Sequence, residues 1–184
     1  MFDPRLVPPS APVTLRPMVN PHPVVNVVPL FDGHQVVIVD NFMAEPEAMV
    51  EYAALQREDF LDSAGNYYPG PELPLTGRFV ASVQEAFLLH ARTPLKARRV
   101  LGIACRLSLA TKRPELLLPG QRMPHRDSYD LEPMEGVGAM VLYLFKDERL
   151  GGTSFFKPKV PPAEITALLR ELKRMDLALS LIHI

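Results

Sequence analysis

The sequence predicts an α+β fold, mainly β with flanking helices, and three observations carry that expectation. Apolar and β-branched runs of strand length recur at residues 35–39, 103–110 and 138–145. Two stretches with helical signals, after Pro46 and after Arg78, lie between the first run and the later ones. The order is a strand and helices first, then mostly strands, which suits antiparallel sheets better than alternating parallel units. With 184 residues, 47% hydrophobic and 22% charged, the chain is long and apolar enough for one domain with a core.

Eight prolines fall before residue 30: Pro4, Pro8, Pro9, Pro12, Pro17, Pro21, Pro23 and Pro29. Each fixes φ and removes a backbone donor. Residues 1–34 are therefore expected to form a Pro-rich N-terminal arm, with short edge-strand character at 24–28. QVVIV at 35–39, bounded by Gly33 and by Asp40-Asn41, is expected as a buried strand. Pro46 at a first helical position, with Glu47 in the first turn, marks a helix start. NYYPGPELP at 66–74 is expected as a loop. Phe79, Val80, Val83, Phe87 and Leu88 recur at helical spacing over 78–91.

Residues 103–110 and 116–118 read as short strands, and GAMVLYLF at 138–145 as a strong one. A polar turn follows at 146–152, then the start of another strand at 153–156. Residues 162–175 read as a helix with Ile165, Leu168, Leu169 and Leu172 on one face.

Charge and cysteine usage narrow the function classes. A formal net charge of −1 argues against a nucleic-acid-binding surface as the main business. No apolar run reaches the roughly 18 residues needed to span a bilayer, and no basic patch precedes an apolar stretch at the N-terminus. Cys105 is the only cysteine, so no intramolecular disulfide forms, which fits a reducing compartment. The expectation is a cytoplasmic protein with no nucleic-acid or membrane partner. The last six residues, LSLIHI, are one translation of CTG TCT CTT ATA CAC ATC, the end of a transposase adaptor used in library preparation. The native frame is expected to stop near Ala178, with residues 179–184 an adaptor-derived tail and His183 no ligand.

The segment with chemistry in it is LLPGQRMPHRDS, residues 117–128. On a strand, residues i and i+2 share a face, so the His125 imidazole and the Asp127 carboxylate can meet one metal ion. Two histidines and one carboxylate on one side, with the other side open, leave room at a non-haem Fe(II) for cosubstrate and oxygen. An HxD pair alone is a weak signal. Its setting adds to it: Tyr143-Leu144-Phe145, a polar turn and then Gly151-Gly152-Thr153-Ser154-Phe155 follow downstream.

The P-G-x-x-x-x-H-x-D element at 119–127, the hydrophobic run and G-G-T-x-F together resemble the prolyl-4-hydroxylase-like branch of the 2-oxoglutarate/Fe(II) dioxygenase superfamily. Val39-Asp40-Asn41-Phe42 through Pro46 looks like the opening of that fold. The Tyr68-Pro69-Gly70 loop resembles an uncharacterised bacterial family of this type. The resemblance runs from about residue 35 to 178 and implies a partial double-stranded β-helix, a cupin-like jelly roll. It implies Fe(II) and 2-oxoglutarate as cofactors, His125 and Asp127 as metal ligands, and hydroxylation of an unknown substrate, a protein side chain or a small molecule. Tyr143 is the cosubstrate candidate by position; a core aromatic whose hydroxyl finds a backbone partner is the other reading.

The superfamily's distal histidine and its basic partner for 2-oxoglutarate have no match before residue 178, and Arg122-Met123 stands where a tyrosine often contacts the cosubstrate. This stretch is therefore expected to lack turnover by itself, with a non-catalytic cupin-like binding module as the alternative. The remaining candidates have ordinary readings: His22 and His34 as surface residues, His90 at a helix end, Cys105 as a small core residue, and Arg170, Lys173 and Arg174 as a solvated face. Arg126 is expected to face away from the metal; Ser128 is open between orienting a ligand and a plain surface role.

Overall fold

Valine-rich segments either side of an Asp-Gly pair make the first element of structure. β1 (Val24–Pro29) and β2 (Gln35–Asp40) pair antiparallel with Val24 opposite Asp40 and Pro29 opposite Gln35. Asp32 and Gly33 both take positive φ, 54° and 72°, the backbone a tight reversal needs. The Leu30 N–H closes the turn on the His34 carbonyl at 2.8 Å. The computed structural model describes residues 19–62, 68–122, 124–125, 135–161, 163–168, 170–171 and 174.

Among the described residues the chain forms two compact units. The first holds 19–30, 34–59 and 74–105; the second holds 31–33, 60–62, 68–73 and those from 106 onward. Besides β1 and β2, the first unit contains α1 (Pro46–Leu55) and α2 (Arg78–Ala86), which runs into a π turn at Phe87–Ala91. Pro46 stands at the start of α1, where its missing N–H is no loss. Phe79, Val83 and Ala86 form the buried stripe of α2 and join Phe42, Met43, Met49 and Leu75 in the core. Met49 is fully buried.

β3 (Glu72–Leu75) and β4 (Cys105–Ser108) make the second two-stranded sheet, and the chain passes from one unit to the other within each strand. In the second unit the Leu109 N–H donates to the Pro71 carbonyl at 3.0 Å and the Thr111 N–H to the Pro69 carbonyl at 3.1 Å. Leu61 and Glu72 exchange both backbone hydrogen bonds at 3.0 Å. Gly70 is buried against this ladder: a Cβ there would lie 1.8 Å from the Leu109 carbonyl oxygen.

The architecture is thus mixed α+β with small antiparallel sheets and few helices. Several local expectations are corrected. β2 is half-buried rather than buried, because in a two-stranded sheet neither valine-bearing face is fully covered; Ile38 and Val27 stand exposed. Residues 72–74, expected in a loop, belong to β3; Pro74 is tolerated because a two-stranded sheet consists of edges. Residues 116–118, expected as a strand, belong to and follow a 3-10 turn at Pro114–Leu116, set by Pro114. Residues 138–145 and 153–156 have no strand pairing among the described residues. Exposure alternates along 141–145, as it does in an extended chain, but a strand exists only through a partner's hydrogen bonds. Residues 163–168 are helical as expected, and exposed Arg170 and Arg174 lie on the same segment. Among the described residues no helix is long and apolar enough to cross a membrane.

Two substitutions test this packing. Met49→Ala removes a fully buried side chain and is expected to lower unfolding free energy by about 2–5 kcal/mol in urea titration. Gly70→Ala drives a methyl into backbone rather than into a side chain that could swing away. Its expected loss is about 3 kcal/mol or more, seen in the same titration.

Candidate functional site

Of the sequence-derived candidates for metal or cosubstrate, His125 and Tyr143 fall in the second unit. The approach to His125 is built by a 3-10 turn at Pro119–Arg122. Its residues hold it shut. The Gln121 N–H donates to the Leu118 carbonyl, and the Leu118 N–H returns the bond to Gln121 Oε1, both at 2.9 Å. The Arg122 guanidinium reaches backward, Nε to the Leu117 carbonyl and a terminal nitrogen to the Glu115 carbonyl, each at 3.1 Å. Arg122 therefore satisfies carbonyls of the residues that lead into its turn, a structural use of a guanidinium's fixed donors. Sequence reasoning did not assign it that role.

His125 follows directly and is exposed, in a segment without regular secondary structure. Asp127 lies outside the described residues, as do Met123, Arg126 and Ser128. Among the described residues no three His, Cys, Asp or Glu side chains gather as a metal cluster. The ligand pair thus rests on sequence spacing.

Tyr143 is brought to one of its motif partners. Its hydroxyl hydrogen-bonds the Thr153 hydroxyl, and its ring meets Phe145 edge-on at 5.4 Å. Tyr143 and Phe145 are both exposed. Between Tyr143 and Thr153 in sequence, Asp147 caps the Glu148–Leu150 turn by accepting from the Arg149 N–H at 3.0 Å. The Arg149 guanidinium grips the same carboxylate at 2.6 Å. Those hydrogen bonds hold the Asp147 carboxyl below the usual carboxylate range. Gly151 ends the turn at φ 85°, which a side chain would resist.

A second polar cluster was not singled out from sequence. Glu72, its side chain only 11% exposed, accepts from Arg106 Nε at 2.5 Å and from the Ser108 hydroxyl at 3.0 Å. Its signal was a lone acid in the apolar run Leu73-Pro74-Leu75, facing a lone arginine between Cys105 and Leu107. Tyr68, of the Tyr-Pro-Gly loop, lies in the field of this pair. Burial first and Glu72 second push its phenol above the ordinary value, with Arg106 opposing. Burial likewise pushes the Cys105 thiol up, as expected of a half-buried residue rather than an activated nucleophile.

The chain belongs to DUF6445, a family of unknown function, through a match over residues 21–180. No curated protein and no solved structure matches it.

The raised Tyr68 phenol has a stated sign. A group whose folded pKa exceeds its unfolded one stabilises the fold fully below the unfolded value, about 10 for tyrosine. That contribution is lost as pH rises through the folded value. Unfolding free energy is therefore expected to fall above about pH 10, and Tyr68→Phe to flatten the fall, in denaturant titrations across that range.

Proposed function

We propose that this chain carries the metal-binding part of a non-haem Fe(II), 2-oxoglutarate-dependent dioxygenase of the hydroxylase type. In this reading the β scaffold is a jelly roll, His125 and Asp127 are metal ligands, and Tyr143 faces the cosubstrate. The observation that carries it is the hydrogen bond between Tyr143 and Thr153. It joins the hydrophobic run to the G-G-T-x-F turn, the two elements that follow the His125–Asp127 pair in the resembling superfamily. The alternating exposure along 141–145 supports strand character for that run.

The donor chemistry fits the metal. An imidazole nitrogen and a carboxylate oxygen suit Fe(II), and no thiolate competes nearby in sequence. Iron with 2-oxoglutarate supplies the oxidising power for hydroxylation when bound. The chain's own residues do the rest. His125 and Asp127 offer one ligand atom each. The locked turn at Pro119–Arg122 fixes the chain entering His125. In the Tyr143–Thr153 pair one hydroxyl donates to the other and the second keeps its proton for an anionic carboxylate. Residues 157–178 contain no histidine, so the reading requires a further histidine from outside that stretch.

The test begins by reading the native frame through codon 178 without a transposase adaptor. The protein it encodes is then titrated anaerobically with Fe(II), with and without 2-oxoglutarate. One iron per chain and metal-dependent binding of 2-oxoglutarate are expected. His125→Ala and Asp127→Ala should each weaken iron by about tenfold to a hundredfold or more. Iron affinity unchanged in both variants sinks the proposal. Small-molecule binding that needs no metal and consumes no oxygen would favour a cupin-like binding module instead.

A further inference from the structure

The charges of the first unit are sorted by sign. From Ala86 to Arg113 the sequence holds no aspartate or glutamate, while Arg92, Lys96, Arg98 and Arg99 crowd one short turn and the residues just after it. All four are exposed, and among the described residues their side chains make no ion pair or hydrogen bond. The helix dipole favours a cation in the last helical turn and so accounts for Arg92. It does not account for Arg98 and Arg99, which lie beyond the turn.

The backbone under this patch is closed. The Ala97 N–H donates to the Arg92 carbonyl at 2.9 Å and the Lys96 N–H to the Thr93 carbonyl at 3.0 Å. That crossed pair commonly ends a helix with glycine in the left-handed position. Here the position is Lys96, at φ 55°. A lysine stands where glycine would be more favourable for folding. Beside the cations Leu89 is 76% exposed and Leu95 40%.

A face of the opposite sign lies on α1 of the same unit. Glu47, Val50, Glu51 and Leu55 recur at three- and four-residue spacing and share one exposed side of the helix. Val50 is 47% exposed and Leu55 55%. Glu47 and Glu51 are like charges one turn apart, an arrangement that weakens a helix until a cation meets it. Glu58 and Asp59 extend the negative stretch, and Arg57 is its only cation between Asp40 and Asp62.

We propose that these faces are the two halves of one interface between copies of this chain. The α1 face of one copy docks on the Arg92–Lys96–Arg99 turn of another. Glu47 and Glu51 meet its cations, and Val50 and Leu55 meet Leu89 and Leu95. Each half carries two exposed apolar side chains beside charges of one sign, so sign and chemistry match. Each copy owns both halves, and a two-fold dimer that engages both uses each half once. A nucleic acid is the poorer fit, because single strands stack on exposed aromatic rings and this turn presents leucines.

Sedimentation velocity of the purified chain, from micromolar to about 100 μM at low salt, reads the outcome directly. A concentration-dependent dimer is expected, weakened about tenfold or more in roughly 0.5 M salt. E47K/E51K and R92E/K96E should each be monomeric, and equal amounts of the two should form a mixed dimer. Lys96→Gly separates interface from folding: it should raise the melting temperature while weakening the dimer. A monomer at every concentration overturns the proposal, as does a dimer indifferent to both charge reversals. Binding of a single-stranded oligonucleotide that R92E/K96E abolishes, without self-association, overturns it in favour of a nucleic-acid surface.

Discussion

The second unit depends on a missing methyl group. Gly70 lets the Tyr68–Pro71 loop come to backbone contact with Leu109, where any Cβ would collide with a carbonyl oxygen. That closeness sets the ladder in which Pro71 faces Leu109 and Pro69 faces Thr111. The ladder brings Glu72 level with Ser108 and Arg106, so three polar side chains settle together at the sheet. Remove the close approach and Glu72 is drawn away from Arg106 and Ser108, which compensate a carboxylate mostly shielded from water. One glycine thus underlies an electrostatic arrangement two residues away.

Apolar surface is divided unevenly. The buried set lies mostly in the first unit, around Met49 and the Phe79–Val83–Ala86 stripe. In the second unit Leu107 is buried while Val141, Phe155 and Phe156 stand exposed. Burial removes apolar area from water at roughly 25 cal/mol per Å², so large exposed side chains in series mark surface that still lacks a cover. In the proposed jelly roll the cover is the facing sheet. The exposed face of α1 differs, because its apolar residues alternate with acids that water solvates well.

Local chemistry was legible where one residue dictates backbone. Pro46 announced α1, and the 3.6-residue spacing of Phe79 and Val83 announced α2. The valine run announced β2 but not its burial, because burial depends on what lies across the sheet. Pro74 hid β3: proline argues against a strand only where both edges are paired, and sequence does not reveal how many strands a sheet has. The run at 138–145 shows the converse. Its composition is that of a strand, yet pairing is a property of two segments, and propensity describes one. At the site, the uses of Arg122 and Glu72 were not legible. Arginine and glutamate in a sequence read as surface until their acceptors and donors are known.

The same distinction governs the His125–Asp127 pair. Residues two apart share a face only along an extended backbone. His125 is reached through a turn held by local hydrogen bonds: Gln121 to Leu118, and Arg122 to Leu117 and Glu115. Such a turn aims the chain without a sheet's help, since each bond closes within seven residues. Extension beyond it is a matter of strand pairing, which in the proposed fold comes from a neighbouring strand of its sheet. Metal ligation and sheet completion are then one requirement. A strand that pairs this segment sets the alternation that turns both ligands to one side, and a metal held by both adds its binding free energy to that pairing.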